Sequence, residues 1–326
     1  MAVQLLIFQN GGSSGTEITN LVQEIRWKGR KGSAARSLTV KLIDDDGYKH
    51  ARSGIDVESG YQCILYEDAA ELFRGLIMRT TQTDRKSMTF VAYDYGIYLS
   101  NNKDTFVYEN KTASAIFTDV CNRFSLTTGS VASCSYSIPS LIKKATTAWD
   151  VIADALSLDF QNTGTRHYVK AEGGKLSLIT RKNNILQWVI EPERNLSSYS
   201  YERSIEDIKT RIKLYSDENT VVASKSNSSL EAKIGIFQNV DTPDETLNAA
   251  QINQLCATLL TEQSAPAKTL ALDDVPGISD IISGVGVFII IPHLDLSCTF
   301  YVDEDTHIFD RNRHYMNLTL NYTDDV

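Results

Sequence analysis

The chain has 326 residues, 42% of them hydrophobic and 22% charged, which excludes a wholly disordered polypeptide. With 41 acidic and 32 basic residues its net charge is −9, which argues against a grip on duplex DNA built from clustered Lys and Arg. No stretch approaches the ~18 uninterrupted apolar residues of a membrane helix, so no membrane insertion is expected.

Residues 1–100 read as β-structure. Residues 18–27 alternate in part, and Gly29-Arg30-Lys31-Gly32 supplies a basic loop. Residues 37–43 alternate cleanly, with Leu38, Val40 and Leu42 on one face. Asp44-Asp45-Asp46-Gly47 has turn chemistry. Further strands are expected at 61–66, 73–83 and 87–95, the last two as a hairpin around Asp84-Arg85-Lys86. Short antiparallel strands that must cover one apolar face favour a small barrel.

Residues 101–193 change character and read as an α/β unit. Ala113, Ile116, Phe117, Val120, Cys121 and Phe124 form one helical stripe, with Thr112 as its cap. A second helix is expected from Thr147, with Asp150 three residues on and Trp149, Ile152, Ala153 and Leu156 as its stripe. Gly173-Gly174 joins two strands, 166–171 and 175–180, into a hairpin.

Residues 194–326 return to β. A strand is expected at 210–215, followed by a mobile hairpin tip or loop at 221–229. Thr242-Pro243-Asp244-Glu245 fits a capping box and predicts a helix running to about Glu262. Strands resume at 285–291, 298–307 and 314–322.

The two β regions look like copies of one another. The run from Leu38 to Asp44 resembles that from Arg211 to Asp217, and Val57-Glu58-Ser59-Gly60 resembles Ile281-Ile282-Ser283-Gly284. The hairpin from Phe73 resembles the one from Phe300, with Met88 to Ala92 set against Met316 to Leu320. The expectation is one barrel topology used twice, an α/β insert between the copies, and a helical insertion at about 242–263 in the second. Val40→Asp and Ile212→Asp are then expected to be equivalent, each placing a charge in a barrel core.

Signatures of chemistry are sparse. Cys63, Cys121, Cys134, Cys256 and Cys298 are odd in number, widely spaced and without a CxxC pair, as expected of reduced, mostly buried thiols. His293, His307 and His314 lie near Asp303, Glu304 and Asp305, but the alternation of Asp303, Asp305 and His307 fits a solvated strand better than a metal site. Glu109 and Glu172 are lone carboxylates without the second partner that glycan hydrolysis needs. No phosphate-cradling loop or nucleophile elbow occurs. The expectation is no catalytic residue, no cofactor and no metal.

The order of parts resembles the phage tail baseplate hub family, in particular hubs of contractile tails and phage-tail-like bacteriocins of the Gram-positive defective-prophage type. The resemblance rests on Trp27 with Arg36-Ser37-Leu38-Thr39-Val40, on Phe73-Arg74-Gly75-Leu76-Ile77 and on the run from Tyr108 to Ile116. Lys233-Ile234-Gly235-Ile236-Phe237-Gln238 and the closing stretch from His307 to Leu320 complete it. It implies a mainly β, α+β chain with two tube-like antiparallel barrels, at 1–100 and 194–326. It implies a homotrimer that presents six barrels to the hexameric tail tube and threefold symmetry to the central spike. Other baseplate proteins are implied as partners, with no sequence-specific nucleic-acid binding. The place of action would be a virion or tail-like particle assembled in the host cytoplasm, and any spike or lysin would be a separate polypeptide. Asp303, Glu304 and Asp305 would face the lumen or an assembly interface. Two alternatives are a tail-associated peptidoglycan hydrolase, detectable by zymography, and a carbohydrate-binding attachment module, detectable on a glycan array.

Overall fold

The computed structural model describes residues 2–9, 12, 14–43, 57–83, 87–192, 194–216, 219–243, 247–310 and 313–322. The expected turns at 44–47 and 84–86, and residues 244–245 and 311–312, lie outside them. The first block of the chain is β1 (Val3–Phe8), β2 (Thr16–Glu17), β3 (Val22–Arg30), β4 (Ser37–Ile43), β5 (Gln62–Glu67), β6 (Ala70–Thr83) and β7 (Ser87–Asp94). The insert follows with α1 (Ile97–Asn101), β8 (Lys103–Thr112), α2 (Ala113–Arg123), β9 (Thr128–Val131), β10 (Ser137–Thr147), α3 (Ala148–Thr163), β11 (His167–Glu172) and β12 (Lys175–Thr180). The remainder comprises β13 (Ile185–Ile190), β14 (Ser198–Ser204), β15 (Arg211–Tyr215), β16 (Val221–Ser226), α4 (Ser228–Ile234), β17 (Gln238–Asp241), α5 (Ala249–Gln263), β18 (Ala267–Pro276), β19 (Gly286–Ile291), β20 (Leu296–Asp310) and β21 (Arg313–Asn321).

Mainly antiparallel β-structure is observed. The two barrels expected from the sequence are instead one 13-stranded sheet, and no closed barrel occurs among the described strands. The cause lies in β20. Its first part pairs with β19, and its last part pairs with β3 of the first block instead of closing on its own block. Leu38, Val40 and Phe90 of the first block and Leu270, Leu272 and Leu318 of the second accordingly belong to a single apolar cluster.

Within this sheet the strand order is used twice. The path β3-β4-β7-β6-β5-β1 in the first block recurs as β14-β18-β21-β20-β19-β13 in the second. One pairing differs, since β1 runs antiparallel to β5 whereas β13 runs parallel to β19. The match extends to single residues. Gly60 N–H donates to Ile77 O, and Gly284 N–H donates to Val302 O. Both glycines sit in the left-handed region, at φ +95° and +97°, which a side chain would strain. The β6–β7 ladder skips one residue, Met78, and the β20–β21 ladder skips one, Asp303, at the corresponding place.

The register corrects the repeat read from the sequence in two places. Phe73 lies opposite Leu65, and its counterpart opposite Ile289 is Cys298, two residues before Phe300. More importantly, β4 corresponds to β18, so Val40 corresponds to Leu272 and not to Ile212. The segment from Arg211 forms β15, the centre of a separate sheet with β16 antiparallel and β17 parallel. Ile212, Leu214, Cys256 and Leu259 form that layer's own small core beneath α5. A seven-residue alternation specifies a half-buried strand but not which sheet receives it.

The insert follows its periodicity closely. Thr112 caps α2 by accepting from Ala115 N–H. Thr147 and Asp150 form a reciprocal capping box at α3. Ile116, Phe117, Val120, Val151 and Ile152 are buried together against Phe106. Two local expectations fail. Residues 221–226 are strand β16, and α4 begins at Ser228, where a loop was expected. Helix α5 starts at Ala249, after Thr242-Pro243, because Asn248 takes the N–H groups of Ala250 and Gln251 while Gln251 reaches back. Both Thr242 to Glu245 and Asn248 to Gln251 fit the capping-box pattern ahead of this apolar run, and the one nearer to it forms the box.

Candidate functional site

The joint between the two blocks is a buried, hydrogen-bonded polar region of the main sheet. It is built on six residue pairs of β20 and β3, from Glu304 opposite Arg30 to Phe309 opposite Ile25. The skipped residue Asp303 shifts the strand's parity, so Phe300 and Val302 face inward before it, and Asp305, His307 and Phe309 after it. A carboxylate and an imidazole are thereby buried. The sequence reading placed them on a solvated strand because it carried the alternation straight through this bulge.

Arg36, one residue before β4, meets Asp305. Its Nη1 donates to Asp305 Oδ1 at 2.9 Å and to Ser283 Oγ at 3.1 Å, and its Nη2 donates to Asp305 Oδ2. Ser283 N–H also donates to Asp305 Oδ1, at 2.6 Å. The Asp305 side chain is fully buried and that of Arg36 is 11% exposed. The guanidinium stacks over Trp27, 4.3 Å from the ring centroid. Gly29 makes room for it, since a Cβ there would stand 1.8 Å from Arg36 Nη1. Gly29→Ala is therefore expected to displace Arg36 and cost about 1–3 kcal/mol, read as a lowered midpoint in urea.

Beside this pair runs a chain of imidazoles. His307 Nε2 lies 2.9 Å from Ile281 O, and His307 Nδ1 lies 2.9 Å from His314 Nε2. His314 Nδ1 lies 2.9 Å from Glu67 Oε1, and Ser279 Oγ–H donates to Glu67 Oε2. A carbonyl only accepts, so His307 donates through Nε2 and accepts at Nδ1 as a neutral ring. Burial lowers its pKa to about 4. The unfolded chain therefore binds this proton first, and stability from this group is lost as pH falls from about 6.5 towards 4. The acid-side fall in melting temperature between pH 7 and 5 is expected to be shallower in His307→Gln than in the parent chain.

The three acidic residues singled out in the sequence are each taken up within the chain. Asp303 accepts from Arg181 Nη2 of the insert at 2.7 Å, Glu304 pairs with Arg30 at 2.8 Å, and Asp305 holds Arg36. They thus tie the second block to the insert and to the first block. Sequence reasoning used Trp27 and Arg36 only as marks of resemblance, weighed His307 and His314 only as metal ligands, and passed over Glu67. The available signal was a carboxylate two positions from a histidine, with Phe300 and Val302 before them and Ile308 and Phe309 after them in one strand.

One group among the described residues brings metal-type donors together: Cys134, Asp159 and His167. His167 Nδ1 faces Cys134 Sγ at 3.8 Å and Asp159 Oδ2 at 3.5 Å. Burial raises the Cys134 thiol to about 11, raises Asp159 and lowers His167. These shifts favour the uncharged forms, and one imidazole N–H shared between two acceptors accounts for the contacts. The group links the loop before β10 to α3 and β11 in the insert.

The fold is similar to that of prophage and other tail proteins. A 43 kDa tail protein of prophage MuSo2 from Shewanella oneidensis superposes with a TM-score of 0.74 at 11% identity, covering 99% of this chain and 98% of that one. The chain belongs to the YqbQ-like family, whose model matches residues 25–321. The phage-like element PBSX protein XkdQ of Bacillus subtilis is 33% identical over 309 residues, 94% of each chain. The Escherichia coli c3393 protein, a component of the type VI secretion system with structural similarity to the T4 tail proteins gp27 and gp5, superposes with a TM-score of 0.56 at 9% identity, covering 93% of this chain and 74% of that one.

Proposed function

We propose that the chain is a structural baseplate hub of a phage or phage-tail-like particle, acting as a homotrimer between the hexameric tail tube and the trimeric central spike. The observation that carries this reading is the strand order used twice, with the same bulge and the same left-handed glycine in each block. A molecule with two like blocks in tandem turns threefold symmetry into six near-equivalent positions. The working surfaces are then strand edges and subunit contacts, and no bond is made or broken. The likeness to XkdQ, a protein of a phage-like element, supports a tail-like particle as the place of action. The net charge of −9 suits a conduit that nucleic acid passes without adhering. Copy counting by quantitative mass spectrometry on purified particles tests the proposal. Three copies per particle, one for each chain of the trimeric spike, are expected, and any other number overturns it. Clearing of cell walls by the purified chain, abolished by a single carboxylate substitution, would favour the hydrolase instead.

A further inference from the structure

We infer that copies of this chain meet edge to edge, with residues 78–83 of β6 in one copy pairing antiparallel with β14 of the next, so that first and second blocks alternate across edges of opposite charge. The number three rests on the hub reading above, but the choice of edges does not.

The argument starts from the joint inside the chain. There the last part of β20 lies against β3. By the shared strand order, β6 is the counterpart of β20 and β14 is the counterpart of β3. Both counterparts present an open side. The β5–β6 ladder ends at Gln62 opposite Leu76, and β6 continues for seven more residues with β7 on its other side. β14 is laddered to β18 on one side only. Among the described residues no strand lies along either open side. Open edges of this length invite another strand, and Thr80, Thr81 and Thr83 are residues that strands favour. Met78, at the bulge, is 43% exposed.

The two ladders set the register. Arg79 opposite Val91 matches Glu304 opposite Thr319, so Arg79 takes the place of Glu304. Trp27 opposite Leu38 matches Tyr201 opposite Leu270, so Lys28 corresponds to Glu202, Gly29 to Arg203 and Arg30 to Ser204. Transferring the internal joint then places Arg79 opposite Ser204, Thr80 opposite Arg203 and Thr81 opposite Glu202.

In this register the signs are exchanged. Inside the chain, an acidic residue on β20 faces the exposed basic row Arg26, Lys28 and Arg30 of β3, with Glu304 paired to Arg30. Between copies, the basic Arg79 of β6 stands diagonal to the acidic Glu202 of β14, within reach of long side chains. β3 itself is taken on both sides within the chain, by β4 and by β20, so β14 is its counterpart with a side left open to β6. First blocks are thus steered to second blocks. The two edges differ, so the contact is head to tail and either closes a ring or propagates.

Cysteine pairs in the full-length chain test this. Directly opposite residues in an antiparallel ladder are about 4.5 or 5.5 Å apart at Cα, both within disulfide reach. Thr81→Cys with Glu202→Cys, and Thr80→Cys with Arg203→Cys, are oxidised in assembled particles beside the parent chain and a slipped pair, Thr81→Cys with Ser200→Cys. At least one direct pair is expected to give linked dimers and trimers that stop at three, with the slipped pair at background. Linked species that run past three support the edges and overturn the hub reading. Three copies per particle with neither direct pair linked, or with the slipped pair linked best, overturn the edges and leave the hub reading standing. As an independent arm, Arg79→Glu is expected to reduce incorporation into particles and the exchange Arg79→Glu with Glu202→Arg to restore it. Failure of the exchange to restore, with both chains folded by circular dichroism, overturns the charge code.

Discussion

Asp305→Ala is expected to lower the unfolding free energy by about 3–5 kcal/mol, measured by urea denaturation at neutral pH. The substitution removes the acceptor of both Arg36 Nη groups and of Ser283 N–H. The guanidinium stays beneath the sheet, held over Trp27 and beside Gly29, with no counter-charge. Breaking a buried pair from one side is costly because the remaining ion keeps its desolvation penalty. Replacing both partners with apolar side chains, Arg36→Met with Asp305→Leu, is expected to recover most of the loss. If Asp305→Ala and the double variant unfold alike, the cost lies in packing and not in the stranded charge.

Val40→Asp and Leu272→Asp are expected to abolish soluble folding, and to do so equally. Both positions are fully buried in the same apolar cluster, at matching points of the two blocks. A carboxylate forced into such a site raises its pKa by ~3–5 units, equivalent to about 4–7 kcal/mol, which rivals the stability of a typical domain. Ile212→Asp, which the sequence alone puts on a par with Val40→Asp, falls in the small core beneath α5. Its damage is expected to be confined to that layer, leaving the main sheet folded. Expression yield and limited proteolysis separate the outcomes. A fully insoluble Ile212→Asp chain would mean that the α5 layer and the main sheet fold as one unit.

The parts of the molecule legible in the sequence are those where one residue type has one physical use. Gly60 and Gly284 share a left-handed backbone that favours glycine, and the repeat was found there. Thr112 and Thr147 sit directly before apolar helical stripes and cap as expected. The joint was not legible because its cause is a skipped residue at Asp303, which leaves no mark in composition. Alternation read through that point assigns Asp305 and His307 to the wrong face. Arg36 and Asp305 are far apart in the sequence, and only the β20–β3 ladder brings them together. The counterpart of β4 was missed for a different reason. β18 lies beyond the added β15–β17 layer, and β15 offers a similar alternation sooner.

That added layer has a consequence of its own. In the first block β3 passes to β4 through residues 31–36, a short link that carries Arg36 into the joint. In the second block the same link, from β14 to β18, is expanded into β15–β17, α4 and α5. Two blocks with one strand plan thus have different silhouettes. A macromolecule approaching the two links meets this layer on one block and a short link packed against the insert on the other, so it can tell apart two units that the sheet itself treats as alike.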